Sequence, residues 1–443
     1  MNEEFLSDFS GTHVTDNTSV KTQTSGAKPT TAPRLARVLG FLGIIGSFAT
    51  AALAQEVPRL SIAGEEAALT KRKALEAAPY NLQYGRLKAQ LDAGLNFEFN
   101  DNINLADVGH QTDLIVRPQL QLRAFLPVTA INSLNLSVGV APALYVQHSE
   151  YNRVLITPGS ELAMDLYLGD YLLNFHDQFS YTQDPVAVGS ISGSAVYGGF
   201  NNRAGTRLVG DFNELILSLG YDHVTFLSST RQFEQLNHAA EKVNAHGTFQ
   251  FSRTCSAGLS AAGGYTHYDQ NFLNDNRSYS FGVDTVLALS RRLILSAEAG
   301  INFYDFDSGG KVGQTPNQRT FYLSAAAEHR LGQDLSHTLR VSRELQLGVA
   351  SDVVEVWSAR YQAELKVAEQ TFLSPRLFYE NGRELKTAGG ESYHRFGAGV
   401  GVTRQLSEKL RGGISYAFTL KDSDLALRSY GQNSVTLDLS YRF

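Results

Sequence analysis

At 443 residues, the chain has the length of two or three soluble domains or of one large closed sheet. Its net charge of −6 leaves no basic footprint for nucleic acid, and the lone Cys255 rules out an intramolecular disulfide framework. After residue 54 no run of about 18 apolar residues occurs, so any membrane crossing by the mature chain must be made by strands.

Residues 34–54 read RLARVLGFLGIIGSFATAALA. Arg34 and Arg37 precede an apolar core that ends in Ala52-Leu53-Ala54, the layout of a cleaved secretory signal with an unusually long polar n-region before it. Within residues 1–54, Lys21, Lys28, Arg34 and Arg37 cancel Glu3, Glu4, Asp8 and Asp16, so the mature chain also carries −6. Residues 55–82 contain EEAALTKRKALEAA, rich in helix formers, and predict a short helix that is either periplasmic or tucked into the lumen of the downstream domain.

From residue 83 onward the pattern has a period of two. Leu87, Ala89, Leu91, Ala93, Leu95, Phe97 and Phe99 alternate with Lys88, Gln90, Asp92, Gly94, Asn96 and Glu98. A strand sends successive side chains to opposite faces, so one face is lipophilic and the other wet. Eighteen such segments occur, near 86–100, 113–126, 134–147, 160–168, 171–181, 203–212, 214–224, 239–251, 257–267, 278–289, 293–304, 319–329, 335–343, 353–367, 371–380, 393–403, 410–420 and 432–443. Short links, such as Gly169-Asp170, alternate with long polar ones, such as 101–112, 182–202 and 305–318. Short periplasmic turns, long outer loops and an even strand number predict a transmembrane antiparallel up-and-down β-barrel over 83–443, located in a bacterial outer membrane. Phe97, Phe99, Tyr181, Tyr265, Tyr279, Phe303, Phe321, Trp357, Tyr379 and Phe418 cluster at the strand ends nearest the long loops, where an aromatic girdle belongs.

The wet positions supply the candidate site. The candidate pore-lining residues are Lys88, Arg117, Arg123, Glu161, Asp165, Lys242, Asp284, Glu298, Glu328, Arg340, Arg360, Arg376, Arg395 and Arg411. Further inward positions are Asp92, Glu98, Glu214, Glu364 and Lys366. The two signs nearly balance, which fits a water-filled passage and sets no strong ion preference. Barrels of 16–18 strands leave an aqueous channel unless plugged. Two readings of the longest loop, 182–202, stand open: an inward fold that narrows the pore, or a flexible surface loop, the plainer of the two.

Three enzyme-like signals are weak. Gly189-Ser190-Ile191-Ser192-Gly193 matches G-x-S-x-G but falls in a loop, not on a strand-to-helix elbow. Asp305-Phe306-Asp307-Ser308-Gly309 lacks the twelfth-position Glu of a calcium loop and reads as a turn. His176 and His246, on different strands, read as lumen histidines. No enzyme activity, cofactor or metal is expected.

The C-terminal LDLSYRF, with Tyr441 and the final Phe443, resembles the terminal assembly signal of bacterial outer-membrane barrels. The texts NFEFNDNINL (residues 96–105) and YGGFNNRAGTRLVGDF (residues 197–212) are similar to the putative outer-membrane β-barrel porin family, over roughly residues 83–443. The resemblance implies partners in outer-membrane lipid and lipopolysaccharide, the barrel-assembly machinery, and small hydrophilic solutes. Some similar barrels occur in exopolysaccharide secretion systems, so polysaccharide export is the alternative and an outer-membrane hydrolase a more distant one.

Overall fold

The computed structural model describes residues 62–443 apart from 79 and 386–389. The signal segment 1–54 lies outside the described residues. Eighteen antiparallel strands close into one barrel, each paired with its sequence neighbours. They are β2 (Leu87–Asn100), β3 (Asp113–Pro127), β4 (Ser133–Tyr145), β5 (Arg153–Leu168), β6 (Tyr171–Tyr181), β7 (Gly199–Phe212), β8 (Leu215–Ser228), β9 (His238–Ser252) and β10 (Cys255–Tyr268), followed by β11 (Asn276–Ala288), β12 (Leu293–Phe306), β13 (Gln318–Leu331), β14 (Leu335–Leu347), β15 (Val353–Ala368), β16 (Thr371–Glu384), β17 (Ser392–Gln405), β18 (Leu410–Ser423) and β19 (Tyr430–Arg442). A three-residue strand, β1 (Leu82–Tyr84), folds back on β2. The last strand closes on the first, from Ser434↔Asn100 to Arg442↔Asp92. Closure matters because an unpaired backbone group costs several kcal/mol in hydrocarbon.

Register and exposure agree on which face is which. Lys88, Gln90, Asp92 and Asn96 share a face with Phe125, Arg123, Gln121 and Arg117 of β3, while Leu91 and Leu95 pair with Leu122 and Pro118 on the other. Around the barrel, the exposed large apolar side chains, among them Leu120, Leu162, Leu219, Val283, Ile301, Leu339, Leu377, Ile414 and Leu437, all take the outward parity. In water such a surface would aggregate; in a bilayer it is the matched solvent. The molecule is therefore a membrane-spanning barrel of the outer-membrane kind.

All ten girdle aromatics take the outward parity. Several carry a polar tip toward the outer loops: Tyr379 Oη lies 2.9 Å from His394 Nδ1, and Tyr221, a further aromatic at this level, donates from Oη to Glu241 at 2.6 Å. Arg343 lies 4.0 Å over the Phe321 ring, 5.7 Å over that of Trp357, and 2.6 Å from Glu355.

Two strand starts differ from the sequence reading. β5 begins at Arg153 rather than near 160, because pairing with β4 jumps from Ser137↔Glu161 to Val140↔Ile156. The Thr157-Pro158-Gly159 bulge there breaks the period that marks a strand. β7 begins at Gly199 rather than 203, since Asn201 and Asn202 read as loop but pair with Ser180 and Phe179. The tight periplasmic turns use left-handed backbone, at Gly169 (φ 58°) and, less comfortably, at Asn213 (φ 66°).

Candidate functional site

Two elements contact the inward wall, one near each end of the barrel. At the periplasmic end, helix α1 (Glu65–Glu76) contacts the rim of the barrel. Lys71 Nζ pairs with Asp165 of β5. Arg72 donates to the carbonyls of Thr129 and Ala130 in the β3–β4 turn. The backbone N–H of Ile62 donates to Asp211 of β7 at 2.9 Å, and Lys88 Nζ to the Glu76 carbonyl at 3.3 Å. Ala63 and Ala68 are buried, as are the inward-facing Phe125 and Tyr167 of β3 and β5.

At the outer end, the loop between β6 and β7, residues 182–198, folds inward and reaches the opposite wall. This corrects the plainer expectation of a free surface loop. Its neck continues the ladder, with Thr182 N–H bonded to Gly199 O and Asp184 N–H to Tyr197 O. Beyond the neck, Arg395 of β17 donates to the Val186 carbonyl at 2.6 Å, and Lys421 of β18 donates to Ser192 Oγ at 3.0 Å. Arg428 donates to the Ser190 carbonyl at 2.5 Å, and Gly193 N–H to Leu105 O at 2.9 Å. The returning arm buries Ala195 and Val196 against Ile103, Ile115, Ala143 and Tyr145. The sequence left both readings open for a physical reason: the loop's own text is small and neutral, and the cations that catch it are more than 190 residues away in the chain.

Those cations belong to a buried network. Glu391 Oε1 is 2.7 Å from Lys421 Nζ and Oε2 is 3.1 Å from Arg428 Nη2, with both Glu391 and Lys421 side chains 0% exposed. Ser423 Oγ donates to Glu391 at 2.7 Å, and Lys421 Nζ lies 4.7 Å over the Tyr393 ring. Below it, Glu380 is shared between Arg360 at 2.7 Å and Arg395 at 2.6 Å. Lys421 and Glu391 were not among the residues singled out from the sequence, where both fell in assumed loops. Extending the odd-numbered inward parity of β18 from Arg411 would have placed Lys421 on the wall.

Above the inward loop, Leu105, Ile191, Phe226, Phe233, Leu236, Tyr268, Leu273, Val349 and Tyr430 form one apolar cluster drawn from several outer loops and strand ends. A 360 Å³ cavity opens beside it, lined by Ser190, Ser192, Phe233, Phe272, Val349 and Arg428 among others. Asp352 clasps the loops together: it accepts from Asn274 N–H and Nδ2, both at 2.7 Å, and from Thr315 Oγ1.

Register places all fourteen candidate residues on the inward face. Arg117 bonds Glu98 at 2.5 Å and Arg123 bonds Asp92 at 2.9 Å, so these pairs also stiffen the wall. Glu161 faces Gln178, Lys242 faces Asp222, and Asp284 faces Glu298 across their strand pairs. Glu328 lies opposite Thr338 and Arg340 opposite Arg360. Arg376 lies opposite Gly399 and Arg411 opposite Ser440. The charges are sorted by wall. The inward face of β14–β18 carries Arg340, Arg360, Lys366, Arg376, Arg395, Arg411 and Lys421 against Glu344, Glu364, Glu380 and Glu384. The inward face of β9–β13 carries Lys242 and Arg330 against Asp284, Glu298 and Glu328.

His176 and His246 also face inward, each on its own aspartate: His176 Nε2 to Asp222 at 2.8 Å and His246 Nε2 to Asp284 at 2.7 Å. Ser190 and Ser192 lie in the inward loop, on no strand-to-helix turn, with Ser192 Oγ engaged by Lys421 and the Arg428 carbonyl. Among the described residues no group of three or more His, Cys, Asp or Glu could hold a metal ion.

At the loop's neck, burial and then the negative charge of Glu98 push the Asp184 carboxyl above its ordinary range, against the pull of Arg117 and the N–H groups of Ala187 and Val186. Ionising such an acid costs the docked state. The cost is absent below the ordinary carboxylate range and complete once pH has risen past the elevated value. Gating events should therefore become more frequent as pH rises through and above the ordinary carboxylate range, and Asp184→Asn should flatten that dependence. Single-channel recordings across this range check it; a pH dependence unchanged by the substitution would show that another group sets it.

No family model matches the chain, and no curated protein matches it. Solved structures similar to it include OpdK of Pseudomonas aeruginosa with vanillate (11% identity, TM-score 0.47, covering 80% of this chain and 99% of that one). Also similar are Pseudomonas aeruginosa OccK2 (OpdF) in complex with glucuronate (11%, TM-score 0.48, 81% and 98%) and Acinetobacter baumannii OccAB3 (11%, TM-score 0.46, 80% and 99%).

Proposed function

We propose that this barrel is an outer-membrane channel for passive, weakly selective passage of small hydrophilic solutes, biased toward anions. The observation that carries the reading is the charge-sorted lumen crossed by a loop that its own basic wall holds in place. A polar wall replaces part of a solute's hydration, and an excess of fixed cations on β14–β18 raises the local concentration of anions. The crossing loop limits the bore to small molecules, which favours solute diffusion over polymer export. Tyr441 and Phe443, exposed on the outer face and edge-to-face at 5.3 Å, fit recognition by the assembly machinery.

In planar bilayers the purified protein should give discrete conductance steps, with a reversal potential in a KCl gradient that favours chloride. Neutralising the wall with Arg340→Gln, Arg376→Gln and Arg411→Gln together should lower the chloride-to-potassium permeability ratio by roughly two-fold or more. A folded barrel that conducts nothing would reject the channel itself; a cation-preferring one would reject only the bias.

A further inference from the structure

The periplasmic rim of β9–β14 differs from the rest. Arg253 sits in the β9–β10 turn, and Arg291 and Arg292 in the β11–β12 turn. These turns touch: Ala288 N–H bonds Thr254 O at 2.8 Å. The next link is Arg330 N–H to Arg292 O at 2.8 Å. Beside it, His329 and His337 lie opposite each other on the outward face of β13 and β14, with Nδ1 and Nε2 3.1 Å apart. Three arginines and two histidines thus follow one another along this rim, with Asp334 the carboxylate in its connecting turns. The other tight periplasmic turns carry Asp170, Glu214, Glu369 and the Glu408–Lys409 pair.

Directly above the rim the outer surface is apolar. Phe249 and Phe251 pack edge-to-face at 5.0 Å, and Phe251 is 65% exposed. Higher on the same strands the wall dips into a 1120 Å³ concavity, floored by Ala245, Gly247 and Ala261 between Leu217, Leu259 and Phe281. Gly247 is six residues from Arg253, about 20 Å along the strand. At a strand tilt of about 45° that is roughly 14 Å in depth, close to the ~15 Å hydrocarbon thickness of one leaflet.

We infer that this sector is a binding site for an anionic phospholipid of the periplasmic leaflet. The phosphate is held by Arg253, Arg291 and Arg292 of the two touching turns, and the acyl chains run over Phe251 into the concavity. Charge complementarity selects the headgroup, because guanidinium groups donate in pairs to phosphate oxygens and a net-negative lipid adds Coulomb attraction over a zwitterionic one. The depth match selects a lipid over a soluble phosphate, which has nothing to place in the apolar dip. The inference requires only that the barrel spans a membrane, so it stands whether or not the pore conducts.

The test uses the purified mature barrel in neutral detergent, titrated with equal amounts of phosphatidylglycerol and phosphatidylcholine of identical acyl chains, with retained lipids counted by native mass spectrometry. The unaltered protein should retain phosphatidylglycerol over phosphatidylcholine by roughly five-fold. The triple variant R253Q/R291Q/R292Q should bring the ratio near one. Gly247→Leu should reduce retention of both lipids while keeping the ratio, and Lys409→Gln, on a distant turn, should change nothing. Should the triple variant misfold, judged by lost heat-modifiable migration, Arg291→Gln alone and a high-salt arm on the unaltered protein read the same contribution. Equal retention of the two lipids by the unaltered protein, or a preference untouched by removing the arginines, overturns the assignment.

Discussion

Excising residues 186–195 and joining the ends with a short glycine-rich link should raise single-channel conductance roughly two- to five-fold, since the loop crosses the bore of an 18-stranded wall while α1 only borders its periplasmic rim. The neck tolerates the cut, because Asp184 N–H to Tyr197 O already closes a hairpin there. The loop's packing argues that it does not leave the lumen unaided: Ile191 is buried in the mouth cluster and Ala195 and Val196 in the wall cluster. Burying an aliphatic side chain of this kind is worth about 1.5–3 kcal/mol. The barrel should fold without it, because the strand ladder does not pass through these residues. The measurement is conductance in planar bilayers on protein with normal heat-modifiable migration; an unchanged step size would mean that solute passes elsewhere, or that the loop does not limit flow.

The barrel was legible in the sequence, whereas the loop's inward fold could be offered only as one of two readings, for the same physical reason. A strand between lipid and water must repeat its chemistry every two residues, so Leu87 to Phe99 or Val435 to Phe443 announce both the element and its two faces locally. All eighteen strands could be counted on that basis, and where the count slipped at its edges, at Thr157-Pro158-Gly159 and at Asn201-Asn202, a bulge or a polar pair had broken the period. The inward fold of 182–198 has only length and glycines as a local signature, and neither decides where the loop goes. It depends on Arg395, Lys421 and Arg428 offering donors to backbone carbonyls and a serine hydroxyl, and on Leu105 offering an acceptor, from distant strands and loops. Likewise, parity put Arg360 and Arg395 on the wall, but only three-dimensional pairing shows that both spend charge on Glu380. The proposed anion bias therefore rests on the net charge of the wall, cations against carboxylates on the inward face of β14–β18, and not on the number of arginines.

Glu391→Ala should release the far anchor of the loop and convert a quiet channel into a rapidly flickering one. Glu391 is the shared carboxylate for Lys421 and Arg428, and the two groups that hold Ser192 and the Ser190 carbonyl depend on it for neutralisation. Removing one partner of a fully buried ion pair costs about 3–5 kcal/mol, because the remaining charge keeps its desolvation penalty without its counter-charge. Lys421 would be left with Ser192 Oγ and the face of Tyr393, contacts too weak to replace a carboxylate. The strain is relieved by letting water in, and water reaches Lys421 only if the loop lifts. A protease that leaves the unaltered protein intact should then cut within residues 186–196. The double replacement Glu391→Gln with Lys421→Met separates charge from shape: it removes both charges while retaining volume, and by the same reasoning should restore resistance to cleavage more fully than either single change. If Glu391→Ala leaves both the current trace and the protease pattern unaltered, the buried triad is not the anchor, and the mouth cluster around Ile191 must hold the loop by itself.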